Sequence, residues 1–143
     1  MKNESYLREL LQEHGLKVTL ARMKVLDVLV SSPVALSHSD ITHRLEGQEI
    51  DKVTLYRTLG AFTEKKLTHK VASKDRNWLY ALHIHENEPA VDHDHAHFVC
   101  DSCEKIYCLP VNTEEQTPVI PTPVNFIVTS REYRLHGMCP DCH

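Results

Sequence analysis

Two cysteine pairs constrain this chain more than any other feature: Cys100-x-x-Cys103 in "CDSC" and Cys139-x-x-Cys142 in "CPDC". Two intervening residues form a tight turn that points both sulfurs at one ion, and two such turns complete a tetrahedral zinc shell. The spacing therefore predicts a structural zinc site that joins the two ends of a small β-rich domain. A redox-active pair of the thioredoxin type and free buried cysteines are the alternatives.

A second group of metal donors lies beside the first. His95-x-His97 sits on a predicted strand, where alternate side chains face the same side, and Cys108 follows on the next predicted strand. The stretch between the second hairpin strand and His95 adds further donors: His83, His85, Glu86, Glu88, Asp92, His93 and Asp94. We predict a second metal site here. Exposed histidines next to a core cysteine would be the simpler explanation.

Charge and cysteine content divide the chain. Residues 1–80 carry 13 Lys and Arg against 10 Asp and Glu, a net charge of +3, whereas residues 81–143 carry 3 against 10, a net charge of −7. All five cysteines lie in the second part. We expect two domains, 1–82 and 83–143. An odd cysteine count argues against a disulfide framework, and the polar N-terminus and lack of long apolar runs predict a cytoplasmic protein.

The first part has the periodicity of four helices. "SYLRELLQEHG" places Tyr6, Leu7, Leu10 and Leu11 on one side before Gly15. The second helix is predicted to be capped by Thr19 and to bury Ala21, Val25, Val28 and Leu29. Ser37 and Asp40 form a capping-box pattern for the third helix, which is expected to end at Gly47. Asp51 caps the fourth, with Leu55, Leu59 and Phe62 facing the core.

The period then changes to that of strands. "LTHKVA" and "WLYAL", joined by the polar "SKDRN", predict a hairpin, so the first domain has the element order of a winged helix-turn-helix. "HFVC" and "KIYCL" predict strands around the first cysteine pair, the prolines of "TPVIPTPV" exclude a helix interior, and "NFIVTSREYRLHGMC" predicts a final strand. The predicted fold class is α+β.

Six residues of the first domain are candidates for DNA contacts. Tyr56 and Arg57, with Thr54, lie on the predicted recognition helix and suit base edges and phosphates. Lys17, Thr19 and Arg22 surround the start of the second helix and suit phosphates. An ordinary solvated helix face explains the same pattern equally well.

Taken together, these segments resemble the ferric uptake regulator family of bacterial metal-sensing repressors. The resemblance rests on "GLKVTLAR", "SHSDI", "TLYRTLGAF", "HAHFVCDSC" and "GMCPDC", in the family's order. It implies an N-terminal winged helix-turn-helix DNA-binding domain and a small C-terminal α/β dimerisation domain with a structural zinc site. It also implies a homodimer that binds a palindromic double-stranded operator when a regulatory ion is bound.

The resemblance also implies roles for individual residues. Tyr56 and Arg57 match the DNA-reading pair, Lys17 and Arg22 match backbone-contacting residues, and the four paired cysteines match the structural zinc ligands. His95 and His97 match two regulatory ligands. His83, by its position after the wing, is the candidate fourth ligand with His95, His97 and Cys108, and His85 and Glu88 are alternates.

The chain departs from the family pattern at several positions. Cys108 replaces an acidic ligand, and Ala35 replaces a histidine that often joins the regulatory site, with His38 three residues later. Asp94 and Ala96 replace residues of a further metal site, which we do not expect here. The proline-rich segment takes the place of a C-terminal helix.

The expected function is metal-responsive transcriptional repression of metal-homeostasis genes, without enzymatic activity. Thiolate and imidazole favour zinc as the regulatory ion, in addition to structural zinc, and iron is the alternative metal. An iron- or peroxide-sensing member of the same family, a zinc-dependent enzyme and a zinc-storage protein are the competing functions. No H-E-x-x-H motif supports the enzyme, and storage would not need a helix-turn-helix.

Overall fold

The computed structural model describes residues 3–73, 77–82, 94–109, 120–129 and 131–143; for residues 94, 95, 131 and 132 it describes the backbone alone. The chain forms two compact units, Met1–Ile84 and His85–His143. Six of the candidate metal donors lie outside the described residues: His83, His85, Glu86, Glu88, Asp92 and His93. None of the helices in the described ranges is long and apolar enough to cross a membrane.

The first two helices, α1 (Glu4–Glu13) and α2 (Leu20–Val30), begin at side-chain caps. The Thr19 hydroxyl oxygen accepts from the backbone N–H of Arg22 at 3.2 Å, as its position predicted. Leu7, Leu10 and Leu11 of α1 are buried. In α2 the predicted stripe is only partly right: Val25 and Leu29 are buried, whereas Ala21 and Val28 are half-buried. The helix also buries Met23 and Leu26, because α1, α3 and α4 all contact it.

The next two helices are α3 (His38–Arg44) and α4 (Lys52–Glu64). The predicted capping box is present: the Asp40 N–H donates to the Ser37 hydroxyl, and the Ser37 N–H donates to the Asp40 carboxylate, both at 3.0 Å. α3 ends at Arg44, three residues before Gly47, which takes a φ of +82° in the following turn. Asp51 caps α4 through the Thr54 N–H at 2.7 Å.

A three-stranded sheet completes the first unit. The predicted hairpin is β2 (Thr68–Ala72) with β3 (Trp78–Leu82), and β3 also pairs with the two-residue strand β1 (Leu36–Ser37). β1 is not predicted from the sequence, because two residues are too few to show a period. Its pairing of Leu36 with Tyr80 connects the start of α3 to the β2–β3 hairpin, which is the wing.

The four helices of the first unit supply large core side chains: Leu7, Leu11, Leu26, Ile41, Leu59 and Phe62.

The second unit contains a three-stranded sheet of order β5-β4-β6, formed by β4 (Asp94–Cys100), β5 (Ile106–Leu109) and β6 (Arg131–Gly137). β5 returns antiparallel to β4, whereas β6 runs parallel to it, with Cys100 beside Gly137. β5 returns the chain to the end of the sheet where β4 begins, so β6 can start there and run parallel to β4. The central strand β4 and the edge strand β6 therefore end at the same side of the sheet, and β5 ends at the opposite side.

The predicted final strand is too long at its start. Residues 125–129 are exposed and outside any strand, and Asn125 adopts a φ of +74°, so β6 begins only at Arg131. Residues 120–124 of the proline-rich segment are not helical, in agreement with the sequence; the rest of that segment lies outside the described residues. In the described part of this unit the regular elements are strands, and the helices expected of an α/β domain are not among the described residues.

Candidate metal centre and nucleic-acid interface

The four paired cysteines meet at one end of the second sheet. Cys100 is the last residue of β4, and Cys103 follows in the turn to β5. Cys139 and Cys142 come directly after β6, which runs beside β4 in the same direction. Because parallel strands end at the same edge, the topology brings two turns that are far apart in sequence to one point.

The sulfur positions suit a tetrahedral ion. The four Sγ atoms all lie within 4.8 Å of one another, and the Cys103 and Cys139 sulfurs are 3.8 Å apart. A tetrahedron with zinc–sulfur bonds of about 2.3 Å has an edge of about 3.8 Å. The thiols are free, and Cys100 and Cys139 are buried. This donor set and spacing fit structural zinc better than a redox pair, which needs only two cysteines.

Backbone hydrogen bonds stabilise the anionic sulfur of Cys100, one of the four cysteines of this centre. Hydrogen bonds from the amides of Cys103 and Cys139 lower the pKa of Cys100 to about 6, and the Cys139 N–H lies 3.4 Å from its sulfur. The hydrogen bond between the Cys142 and Cys139 thiols, together with burial, raises the pKa of Cys142 to about 12. Neighbouring thiolates disfavour one another, so the fully deprotonated set requires a bound cation.

The second predicted metal group is partly within the described residues. His97 of β4 and Cys108 of β5 are direct partners in the antiparallel register, and their donor atoms lie within 4.8 Å of each other. His97 is 3% exposed, so its interpretation as a merely exposed histidine is wrong. Burial raises the pKa of Cys108 to about 11. Ala96 of β4 carries no donor.

Two further predicted ligands of this group lie partly or wholly outside the described residues. The backbone of His95 lies two residues before His97 on β4, where strand alternation assigns both to one face, but its side chain is outside the described residues. His83 lies wholly outside them. The complete ligand set therefore stays a prediction.

The predicted DNA-contacting residues lie on the surface of the first unit. Tyr56 and Arg57 of α4 are exposed, Tyr56 by 54%, and Thr54 is half-buried one turn nearer the helix start. Arg57 also lies near the Asp51 carboxyl, whose pKa is lowered by hydrogen bonds from Thr54 and then by this guanidinium. α4 therefore presents an aromatic ring and a cation to solvent, as the sequence predicted.

The second predicted contact region lies where α2 begins. The Arg22 guanidinium donates to the Lys17 carbonyl at 2.8 Å, which joins the two basic residues into one turn. Lys17 and Thr19 are exposed. The Thr19 oxygen is used as an acceptor in the helix cap, so its O–H proton remains able to donate to a phosphate.

One residue of this surface was not recognised from the sequence. The His38 ring stacks on Tyr56, with ring centroids 4.0 Å apart and planes inclined by 23°. In the sequence, His38 drew attention only because it lies three residues after Ala35, where a metal-binding histidine is missing; Ala35 itself is buried. The available signal was positional: His38 follows the Ser37 cap, so it lies at the start of the helix that packs on α4.

The first unit is a winged helix that exposes a ring and a cation on its last helix, and the second is a small sheet with four clustered cysteines. Together they define a two-unit, metal-binding protein of the transcription-factor class. The model of the Ferric uptake regulator family matches residues 13–133. The chain belongs to the ferric uptake regulator family.

Curated relatives and solved structures agree with this family. The chain is 30% identical to the Ferric uptake regulation protein of Neisseria meningitidis serogroup B over 142 residues, covering 92% of this chain and 90% of that protein. It is 26% identical to the Peroxide operon regulator of Bacillus subtilis, covering 94% and 89% of the two chains. The structure of a Zinc Uptake Regulator complexed with zinc and DNA superposes with a TM-score of 0.66 at 20% identity, covering 96% and 90%.

Proposed function

We propose that this protein is a metal-responsive transcriptional repressor that binds palindromic operator DNA as a homodimer and acts in the cytoplasm. The observation that carries the proposal is the exposed pair Tyr56 and Arg57 on α4 of a winged helix, in a chain that also brings four cysteines together. Family membership supports a regulator, not an enzyme.

The proposal assigns DNA binding to residues 1–82 and metal binding with dimerisation to residues 83–143. In the first domain α4 enters the major groove, where Tyr56 and Arg57 contact base edges and Thr54 contacts the backbone. Lys17, Thr19 and Arg22 contact phosphates and fix the position of the domain on the duplex. The modest positive charge of this domain gives a binding affinity that falls with salt.

Structural zinc is assigned to Cys100, Cys103, Cys139 and Cys142. The support is their common position at the end of β4 and β6 and sulfur distances that suit a tetrahedral ion. Zinc there would fix the end of a three-stranded sheet that is too small to be stable by its own core.

The regulatory ion is proposed to be zinc, held by His83, His95, His97 and Cys108. The support is the pairing of a buried imidazole with a thiol on neighbouring strands, because nitrogen and sulfur donors suit tetrahedral zinc, while iron(II) sites usually add carboxylates. Ferrous iron is the competing ion, since relatives include ferric uptake regulation proteins and a peroxide operon regulator.

Regulation would work by selecting one arrangement of the dimer. Two recognition helices must reach major grooves separated by one helical turn, roughly 34 Å. An ion that binds the DNA-competent arrangement more tightly by about 3 kcal/mol shifts the equilibrium constant toward that arrangement roughly a hundredfold. The ion shifts the equilibrium only by this difference in affinity.

The test is binding of the zinc-containing dimer to a duplex from its own promoter region. Buffered zinc, anaerobic ferrous iron and a metal-free buffer are compared at one ionic strength, with an unrelated duplex as control. We expect zinc to produce specific binding. Activation by micromolar iron with no response to zinc would assign the protein to iron sensing, and equal binding to both duplexes under every condition would refute the proposed function.

A further inference from the structure

The stacked pair formed by His38 and Tyr56 joins the two helices of the helix-turn-helix at the surface. His38 is the first residue of α3, and Tyr56 lies in the second turn of α4. The ring planes are nearly parallel at a centroid distance of 4.0 Å, an offset-stacking distance. Because Tyr56 remains 54% exposed, the stack covers part of the ring and leaves the rest accessible.

The backbone that carries the His38 ring is held by local hydrogen bonds. The Ser37–Asp40 capping box holds the first turn of α3, and the Thr42 hydroxyl donates to the His38 carbonyl at 2.9 Å. Strand β1 connects the residue before this turn to β3. The His38 ring is therefore a fixed surface against which a longer, exposed side chain can rest.

The environment of His38 favours its neutral form. Burial, and then the nearby Lys52 ammonium, lower the pKa of His38. Its Nε2 atom is buried, and among the described residues no group forms a hydrogen bond with it. A neutral, half-buried imidazole is a poor phosphate ligand, because it lacks the charge that attracts the DNA backbone. Its contribution to DNA binding would therefore pass through the residue on which it stacks.

We propose that His38 is a positioning residue for operator recognition: its ring restricts Tyr56 to the side-chain conformation that contacts base edges. This inference rests on the proposed DNA-reading role of Tyr56. An exposed tyrosine samples several rotamers in the free protein, and fixing it on binding costs conformational entropy. A stack that already selects the conformation lowers this cost, so specific affinity increases without a direct contact from His38.

The experiment is a double-mutant cycle on the full-length, metal-loaded protein, with affinity measured for its own operator and for an unrelated duplex. We expect His38→Ala to weaken operator binding by about three- to tenfold and to leave binding of the unrelated duplex nearly unchanged. The variant His38→Ala/Tyr56→Ala should bind no more weakly than Tyr56→Ala. Losses that add in the double variant would overturn the inference, because His38 would then act independently of Tyr56.

Two further variants separate positioning from folding. His38→Phe keeps a flat ring and should recover most of the affinity, whereas Ser39→Ala, an exposed neighbour in the same helical turn, should bind like the unmodified protein. NMR of the Tyr56 ring in the free protein should show a shift change in His38→Ala, as the neighbouring ring current is lost. An unchanged Tyr56 resonance would also overturn the inference.

The outcomes distinguish this inference from the proposed function. If Tyr56→Ala loses operator binding while His38→Ala does not, only the positioning role is refuted. If Tyr56→Ala binds the operator normally, the assignment of Tyr56 to base contacts fails and the positioning role fails with it.

Discussion

The donor atoms of His97 and Cys108 lie within 4.8 Å of each other, on side chains that are directly opposite across two antiparallel strands. Directly opposite positions share one face of the sheet and are the closest pairs that a sheet provides. The thiol is therefore next to the imidazole by backbone register and not by a chance approach of two flexible side chains.

Replacing Cys108 by Ser should raise the free zinc concentration needed for half-maximal operator binding by about tenfold or more. Even changes in the outer shell of a metal site reduce metal affinity by about 10- to 100-fold. Operator binding is measured over a series of buffered zinc concentrations. Zinc retained by the four-cysteine centre should be unchanged, and Lys105→Ala, an exposed neighbour, is the matched control. A Cys108→Ser protein that responds to zinc like the unmodified protein would exclude Cys108 as a ligand.

Replacing Cys142 or Cys100 by Ser should remove one tightly bound zinc per chain, because three thiolates and a hydroxyl cannot complete the shell. The free energy of zinc binding contributes directly to the folding of the second unit. Without the ion this unit should unfold and dimers should be lost. Zinc content by elemental analysis and mass by light scattering measure both effects. A Cys142→Ser protein that remains dimeric with an unchanged melting temperature would contradict the structural role.

Replacing Arg57 by Ala should reduce operator affinity by about 1–3 kcal/mol, roughly five- to a hundredfold, and leave zinc content and dimerisation intact. The matched control is Lys65→Ala, which removes one exposed charge at the opposite end of α4. Affinities are compared for the operator and an unrelated duplex. Equal losses in the two variants would show that Arg57 contributes only general charge.

Acidification should destabilise the helical unit partly through His38. Its pKa in the folded protein lies below the ordinary value of 6.5, because of burial and of Lys52, so the unfolded chain binds the proton first as the pH falls. Above pH 6.5 His38 causes no loss of stability. As the pH falls from about 6.5 to the lower pKa of the folded protein, the free energy of unfolding decreases. The Tyr56 ring stacks on His38, and the charged side chains of Glu46, Asp51 and Lys52 line the cavity beside it.

The measurement is urea unfolding of the full chain at pH 7.5 and pH 5.0, followed by helical circular dichroism, because the described helices belong to the first unit. His38→Phe should lose less stability on acidification than the unmodified protein, since the other histidines are common to both. Equal losses in the two proteins would exclude His38 as a source of the pH dependence.

Local patterns in the sequence predicted much of the first unit. Thr19, Ser37 and Asp51 were recognised as helix caps because a cap bonds to an amide only three residues away. The core positions Leu55, Leu59 and Phe62 follow helical periodicity. The burial of Met23 and Leu26 in α2 was not predicted from the residues of that helix, because it results from three other helices packing against it.

The sequence by itself determined which residues can hold metal in the second unit, because Cys-x-x-Cys spacing and strand alternation are local geometry. It did not determine which strands are neighbours. The parallel pairing of β4 with β6 joins residues about 37 positions apart and brings both cysteine pairs to one edge. Likewise the stack of His38 on Tyr56 arises from the packing of α3 on α4, since residues 18 positions apart meet only after the turn between the helices has formed.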